Sequence, residues 1–363
     1  MSTSPRLKPL LCHVNLARGF RGGERQTELL VRGLAAHGIR QKLIVRTGAP
    51  LAQRLAGLPD LHLVEAGGPA GGLLATQRLL RGAALVHSHE GRGLHVCALH
   101  HRMHRVPYIA TRRVLGRRIR GCWTRSVYHR AATVVAVSAA VEKILHGDVP
   151  AIKTQVLYDA ISRLPSDPGR VRRLKQAWPE KLLIGNVAAL DAKKGQIHLI
   201  NVARRLQHSH PNLHFVLVGS GENEEYCRRQ ARGLNNLSMT GFVDNVGDYL
   251  AAFDLFVFPT YAEGLGSGLL DAMSFSLPLI ASRVGGIPEL VRHGDNGLLV
   301  GVADETALRD AIVSLAGDPV RRAAMGAAGK RFADGFTVDR MVGQYLELYA
   351  SVYPGFGKLE AQT

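Results

Sequence analysis

No stretch of this chain is apolar for long enough to cross a bilayer, no two cysteines form a CxxC pair, and no acidic residue falls between Glu90 and Glu142. The first absence excludes a spanning helix, which needs roughly 20 apolar residues. Cys12, Cys97, Cys122 and Cys227 are scattered, which speaks against a disulfide framework or a cysteine-based zinc site and fits reduced thiols in the cytoplasm. Met1–Asn15 holds Arg6 and Lys8, but Pro9 and His13 interrupt its apolar run, so no secretory signal is expected. Low-complexity tracts and short repeats are missing too. Neither a helix–turn–helix, zinc-finger or RRM pattern nor any interleaving of basic with aromatic residues is present, so nucleic acid is not the expected partner.

The missing acids leave a lopsided charge. Residues 1–164 contain 25 lysines and arginines against 8 acids, and residues 165–363 contain 21 against 21. The net charge of +17 therefore belongs to the first half. Arg92, Arg102, Arg105, Arg112, Arg113, Arg117, Arg118, Arg120, Arg125 and Arg130 all lie in the acid-free interval. A one-sign field of that size attracts polyanions. On charge alone the partner is nucleic acid, an anionic membrane surface, or an anionic glycan or glycolipid, with a merely solvated basic face as the alternative; docking at the inner face of a membrane would use Arg112, Arg113, Arg117 and Arg118. Oligomeric state is not legible.

A length of 363 residues suggests two domains. Short apolar runs alternate with helical patterns, the mark of parallel βαβ units. Leu10–Asn15, Lys42–Val45, Leu61–Val64, Ala84–His87, Tyr108–Ala110 and Thr133–Val137 read as strands of a first series, with a helix over Glu24–His37. The pattern lapses at Asp159–Gly169, a linker with two prolines. A second series follows: Leu182–Val187, Phe215–Val218, Leu237–Thr240, Phe253–Phe258 and Leu279–Ala281. The expected division is a first domain over 1–164, a second over 165–335, and a helix over 336–363 returning toward the first. Ligands are expected at the carboxyl ends of the strands, between the two halves.

One stretch organises the second half: Pro259–Asp271, PTYAEGLGSGLLD. Its glycines, Gly264, Gly266 and Gly268, let the backbone approach a bound group, and the following helix directs N–H groups at it, which favours phosphate. Glu263 and Asp271 bracket the turn and can hold hydroxyl-rich groups on either side of that charge. Lys194-Gly195 opens another helix, where a lysine neutralises a diphosphate as a point charge. Gly22-Gly23 at a helix entrance is an anion site by geometry. His87 and His89 alternate onto one face at a strand end. With His100, His101 and His104 nearby, no cysteine or carboxylate completes a metal set, so no metal is expected; a wall of the acceptor site and an ordinary structural role both remain open.

Glu263 to Asp271 resembles the E-x7-E signature of retaining nucleotide-sugar glycosyltransferases of family 4 (group 1), with Asp as the second acid. Gly285–Val300, GGIPELVRHGDNGLLV, is similar to the segment that follows in that family. The resemblance implies an α/β GT-B fold, two Rossmann-like doubly wound domains about a cleft, and a nucleoside-diphosphate sugar as substrate without a cofactor. It implies Glu263 and Lys194 as catalytic residues. Donor contacts would come from Gly22, Gly23, Lys194, Gly195, Gly219, Phe242, Val243, Glu263, Gly264, Leu265, Gly266 and Asp271, with Glu263 on the sugar hydroxyls and Asp271 on the ribose. Apart from the resemblance, His89 at its strand end and Arg112 and Arg113 in the basic interval are the expected acceptor contacts. Two positions depart from the family: Ala189 stands where an arginine is usual, and Arg113 where a histidine follows a threonine by two residues. Thr111–Val114 resembles the variant in Gram-negative lipopolysaccharide-core enzymes. Competing readings are a GT-B sugar-nucleotide epimerase and a non-enzymatic polyanion-binding protein.

Overall fold

Short β-branched and aliphatic runs form the strands, and the crossovers between them form helices. The computed structural model describes residues 8–67, 73–116, 119 and 121–357; Arg117, Arg118 and Arg120 lie outside them. Described residues up to Ala160, together with those from Thr337 on, form one unit, and Ile161–Phe336 form the other. The chain leaves and re-enters the first unit at one place: Ile161 donates its N–H to the carbonyl of Phe336 at 2.9 Å.

In the first unit the strands are β1 (Leu11–Asn15), β2 (Gln41–Arg46), β3 (Leu61–Ala66), β4 (Leu85–Ser88), β5 (Tyr108–Arg112), β6 (Thr133–Ala136) and β7 (Thr154–Val156). They pair in parallel in the order β3-β2-β1-β4-β5-β6-β7. The order reverses between β1 and β4, which opens a crevice at the carboxyl ends of those two strands. The second unit holds β8 (Leu182–Val187), β9 (Leu213–Val218), β10 (Leu237–Gly241), β11 (Leu255–Phe258), β12 (Leu279–Ser282) and β13 (Gly297–Val300). Their order is β10-β9-β8-β11-β12-β13, with the reversal between β8 and β11. Strands β7 and β13 were not expected. The first is only Thr-Gln-Val, without an apolar run, and the second follows an Asn-Gly turn that masks its four residues.

The first helix spans Gly22–Ala36, two residues longer at its start than the sequence suggests. Glu24, at its third position, accepts the N–H of Arg21 at 2.9 Å and closes the cap there, which draws both glycines into the first turn. Leu30 and Leu34 of this helix share a core with Leu11, Leu85, Tyr345 and Tyr349. The last two come from the helix Val338–Val352, which packs on the first unit. Contact between the two helices depends on Gly33, where an added Cβ would lie 2.4 Å from Val342 Cγ2. The second core gathers Ile184, Leu199, Phe215, Leu255 and Ile280 around its sheet.

Candidate functional site

In the second unit β9, β8 and β11 are neighbours, so the loops after Val218, Val187 and Phe258 meet at one sheet edge. The loop after β8 runs through a short 3-10 turn, Ala192–Lys194, into the helix Gln196–Leu206. Gly195 joins the two with φ +67, and a Cβ there would lie 1.9 Å from the carbonyl oxygen of Pro259. Only glycine fits that close approach. The loop after β11 is tied to this turn, since Tyr261 donates its N–H and Thr260 its hydroxyl to the carbonyl of Lys193, at 2.8 and 2.9 Å.

These ties bring Lys194 to Glu263, and the ammonium donates to the carboxylate while lying 5.3 Å from the centre of the Phe258 ring. Lys193 is exposed. Gly264, Leu265 and Gly266 are buried, and Gly266 caps the helix Ser267–Ser274. Gly219 closes the neighbouring edge by donating its N–H to Gly241 at 2.9 Å. Just beyond Gly241, Phe242 is 76% exposed and Val243 is half-buried. Ala189 contributes its carbonyl, which accepts from Gln196 at 3.0 Å.

Asp271 has partners the sequence does not reveal. Ser162 donates its N–H to one carboxylate oxygen at 2.8 Å and its hydroxyl to the other at 3.1 Å. The second acid of the signature thus holds the start of the second unit in place.

The first unit assembles its polar groups at the β1/β4 reversal. Gly22 and Gly23 stand at the helix entrance after β1. Directly beside them runs Arg113, whose Cδ would lie 3.3 Å from a Cβ on Gly23. Its guanidinium pairs with Asp159, and the arginine charge is stabilised further by Tyr345 and Glu24. Arg112 is buried as well and donates to the Tyr128 hydroxyl at 3.2 Å. The expectation that these two arginines face a membrane is therefore corrected: both turn inward and spend their charge on internal partners. Burying a guanidinium is costly without such partners, which explains why Asp159 stands beside Arg113.

His89 is buried, and so are His87 and His13, which β1 and β4 place opposite each other in register. His13 Nδ1 lies 2.9 Å from His89 Nε2, and His13 Nε2 lies 3.1 Å from Gln41 Oε1. His87 is hydrogen-bonded to the Tyr349 hydroxyl at 2.8 Å and to Thr111 at 2.7 Å. Burial lowers the pKa of all three, of His13 to about 4, so the rings are neutral. Ligand atoms of the three fall within 4.8 Å of one another, near enough to share an ion. Sequence reading missed His13 as a member of this group, because the β1–β4 pairing skips two intervening strands. The exposed His104 lies elsewhere, its ring centre 4.6 Å from that of His100 with the two planes tilted by 44°.

Residues 181–318 match the family model described as glycosyl transferases group 1, and residues 20–163 match that of glycosyltransferase family 4. The chain belongs to this family. The GT-B fold is shared with Anabaena Alr3699/HepE, solved in complex with UDP-glucose, at TM-score 0.83 and 20% identity over 94% of this chain and 99% of that one. A GDP-mannose-dependent monoacylated alpha-(1-6)-phosphatidylinositol monomannoside mannosyltransferase of Corynebacterium glutamicum is 33% identical over 176 residues, 46% of either chain. The N-acetyl-alpha-D-glucosaminyl L-malate synthase of Bacillus anthracis is 37% identical over 143 residues, 38% of this chain and 37% of that protein. The lipopolysaccharide core biosynthesis glycosyltransferase LpsE of Rhizobium meliloti is 29% identical over 163 residues, 44% and 47%. The alignments span about half or less of the length of these relatives. No described helix is long and apolar enough to cross a membrane.

Proposed function

We propose that this protein transfers a sugar, with retention of anomeric configuration, from a nucleoside-diphosphate sugar to a hydroxyl of an anionic glycan or glycolipid, in the manner of lipopolysaccharide-core assembly. The observation that carries the reading is the Lys194–Glu263 pair, held by the Gly195–Pro259 contact beside the glycine turn and the helix Ser267–Ser274. An ammonium, backbone amides and a helix N-terminus converge there, a setting that stabilises negative charge developing on a leaving diphosphate. Glu263 keeps Lys194 in position while no phosphate is bound and then orients the sugar hydroxyls. Phe242 offers an exposed ring for the base to cover.

Substitution occurs on one face of the sugar. The bond from the anomeric carbon to the diphosphate oxygen breaks, the acceptor oxygen bonds to the same face, and its proton passes to the departing diphosphate. No protein base and no metal ion is required. Ala189 supplies no cation where the family usually has an arginine, so Lys194 carries that charge in the second unit. The relatives named above are described with GDP-mannose and with UDP-glucose, so both nucleotides belong in the test. Incubation with a panel of UDP- and GDP-sugars should release nucleoside diphosphate from one of them. Conversion of the sugar into its epimer would favour an epimerase instead, and inertness toward the whole panel would overturn the reading.

A further inference from the structure

The polar core of the first unit fixes one hydrogen atom after another, starting from a backbone carbonyl. Gln41 Nε2 donates to the carbonyl of Val31 at 3.0 Å, so the side-chain oxygen of Gln41 is the atom facing His13. The opposite amide orientation would set two oxygens against each other. An amide oxygen can only accept, hence His13 Nε2 bears the hydrogen and, the ring being neutral, His13 Nδ1 is bare. His89 Nε2, 2.9 Å away, must then donate to it. His89 is neutral as well, which leaves its Nδ1 as a lone pair. That nitrogen is buried and has no hydrogen-bond partner among the described residues. It sits just past the end of β4, at the β1/β4 reversal, where open parallel sheets bind their ligands.

We propose that His89 Nδ1 receives a hydrogen bond from a hydroxyl of the sugar acceptor, and that Gln41 and His13 are positioning residues that fix the tautomer able to do so. This rests on the glycosyltransferase reading and names the group that would meet the acceptor. A buried acceptor atom without a donor is unfavourable, and a sugar hydroxyl arriving there relieves it. Both ring nitrogens of His13 and both of His87 are already engaged, and the Arg113 charge lies near, which disfavours an ion at the same place.

Long-range nitrogen–proton spectra of the histidine rings in the 15N-labelled full chain test this directly, with His89→Gln assigning the signals. His13 and His89 should both show the Nε2–H tautomer. Methyl α-D-glucopyranoside, used as the probe, should shift the His89 Nδ1 resonance saturably. Gln41→Leu should mix the tautomers and weaken the probe about tenfold, in line with loss of one hydrogen bond. Gln41→Glu, which in its protonated form keeps a donor toward Val31 and an oxygen toward His13, should restore both. An Nδ1–H tautomer in the wild type overturns the proposal, as does a resonance indifferent to the sugar, which would mark a permanently buried water. So does zinc binding that moves all three imidazoles. Turnover of a nucleotide sugar with an indifferent His89 would sink this inference alone; a responsive His89 without any turnover would sink the glycosyltransferase reading instead.

Discussion

At the residue scale the two neighbouring lysines differ sharply. Lys194 is held by Glu263 and the Phe258 ring, while Lys193 is exposed and serves the fold through its carbonyl. Lys194→Ala should therefore reduce turnover by the equivalent of about 2–4 kcal/mol, a loss expected for one transition-state donor, and Lys193→Ala should change little. Equal losses in steady-state kinetics would contradict the placement. Asp271 poses a different question, because Ser162 engages both of its oxygens. Asp271→Asn should lower the melting temperature as well as donor affinity, since a carboxylate that accepts two hydrogen bonds is worth roughly 1.5–3 kcal/mol per bond to a charged group. Ser162→Ala removes one of those bonds and keeps the backbone N–H, so it should cost less. A variant Asp271→Asn that melts like the wild type would show that the tie to Ser162 contributes nothing.

At the element scale the turn between β8 and the helix Gln196–Leu206 decides whether Lys194 and Glu263 meet. Gly195→Ala would place a methyl group against the Pro259 carbonyl at a positive φ, so either the turn or the loop after β11 must move. Thermal unfolding should register a destabilisation on the order of 1–3 kcal/mol, the usual cost of such backbone strain, together with weakened donor binding. Unchanged donor affinity in a destabilised Gly195→Ala protein would separate the turn from the site. The N-terminal helix makes the complementary case. Its glycines Gly22 and Gly23 lie inside the first turn because Glu24 caps it, so their amides are directed outward along the helix axis.

At the scale of the whole molecule, charge and burial make two further predictions. The unfolded chain protonates His13 below its ordinary pKa of 6.5, whereas the folded chain resists until about 4. Stability from this source is complete above 6.5 and is lost as the pH falls from 6.5 to 4, on the order of 3 kcal/mol from His13 alone. His87 and His89 are shifted in the same direction and add to the loss. Urea titrations across that interval should trace the fall, and a flat profile would mean that the rings are charged in the folded state. Among the described residues of the acid-free interval, four arginines contribute to a basic surface. Arg102, Arg105, Arg125 and Arg130 are exposed on or just past the helices Gly91–His104 and Cys122–His129, alongside the exposed Met103 and Trp123. Replacing these four by Gln should weaken binding to anionic vesicles by about 1 kcal/mol each at low salt and flatten its salt dependence, leaving donor affinity unchanged. Vesicle binding indifferent to the four changes would refute a membrane-facing role.

Much of this was legible in one dimension. Strand–turn–helix alternation depends on local periodicity and on glycine placement, both written along the chain, so β8 could be delimited to the residue and the Glu263–Asp271 turn recognised with its helix. The excess of positive charge needs only counting. What the chain alone left open are pairings between residues far apart in sequence. Arg113 reads as one more surface arginine until Asp159 is placed beside it, and Asp271 reads as a free ligand for ribose until Ser162 closes on both oxygens. The direction of each histidine hydrogen was likewise undetermined. It follows from Val31 through Gln41 and His13 to His89, across β2, β1 and the end of β4, and strand order is a property of the folded sheet that no local pattern encodes.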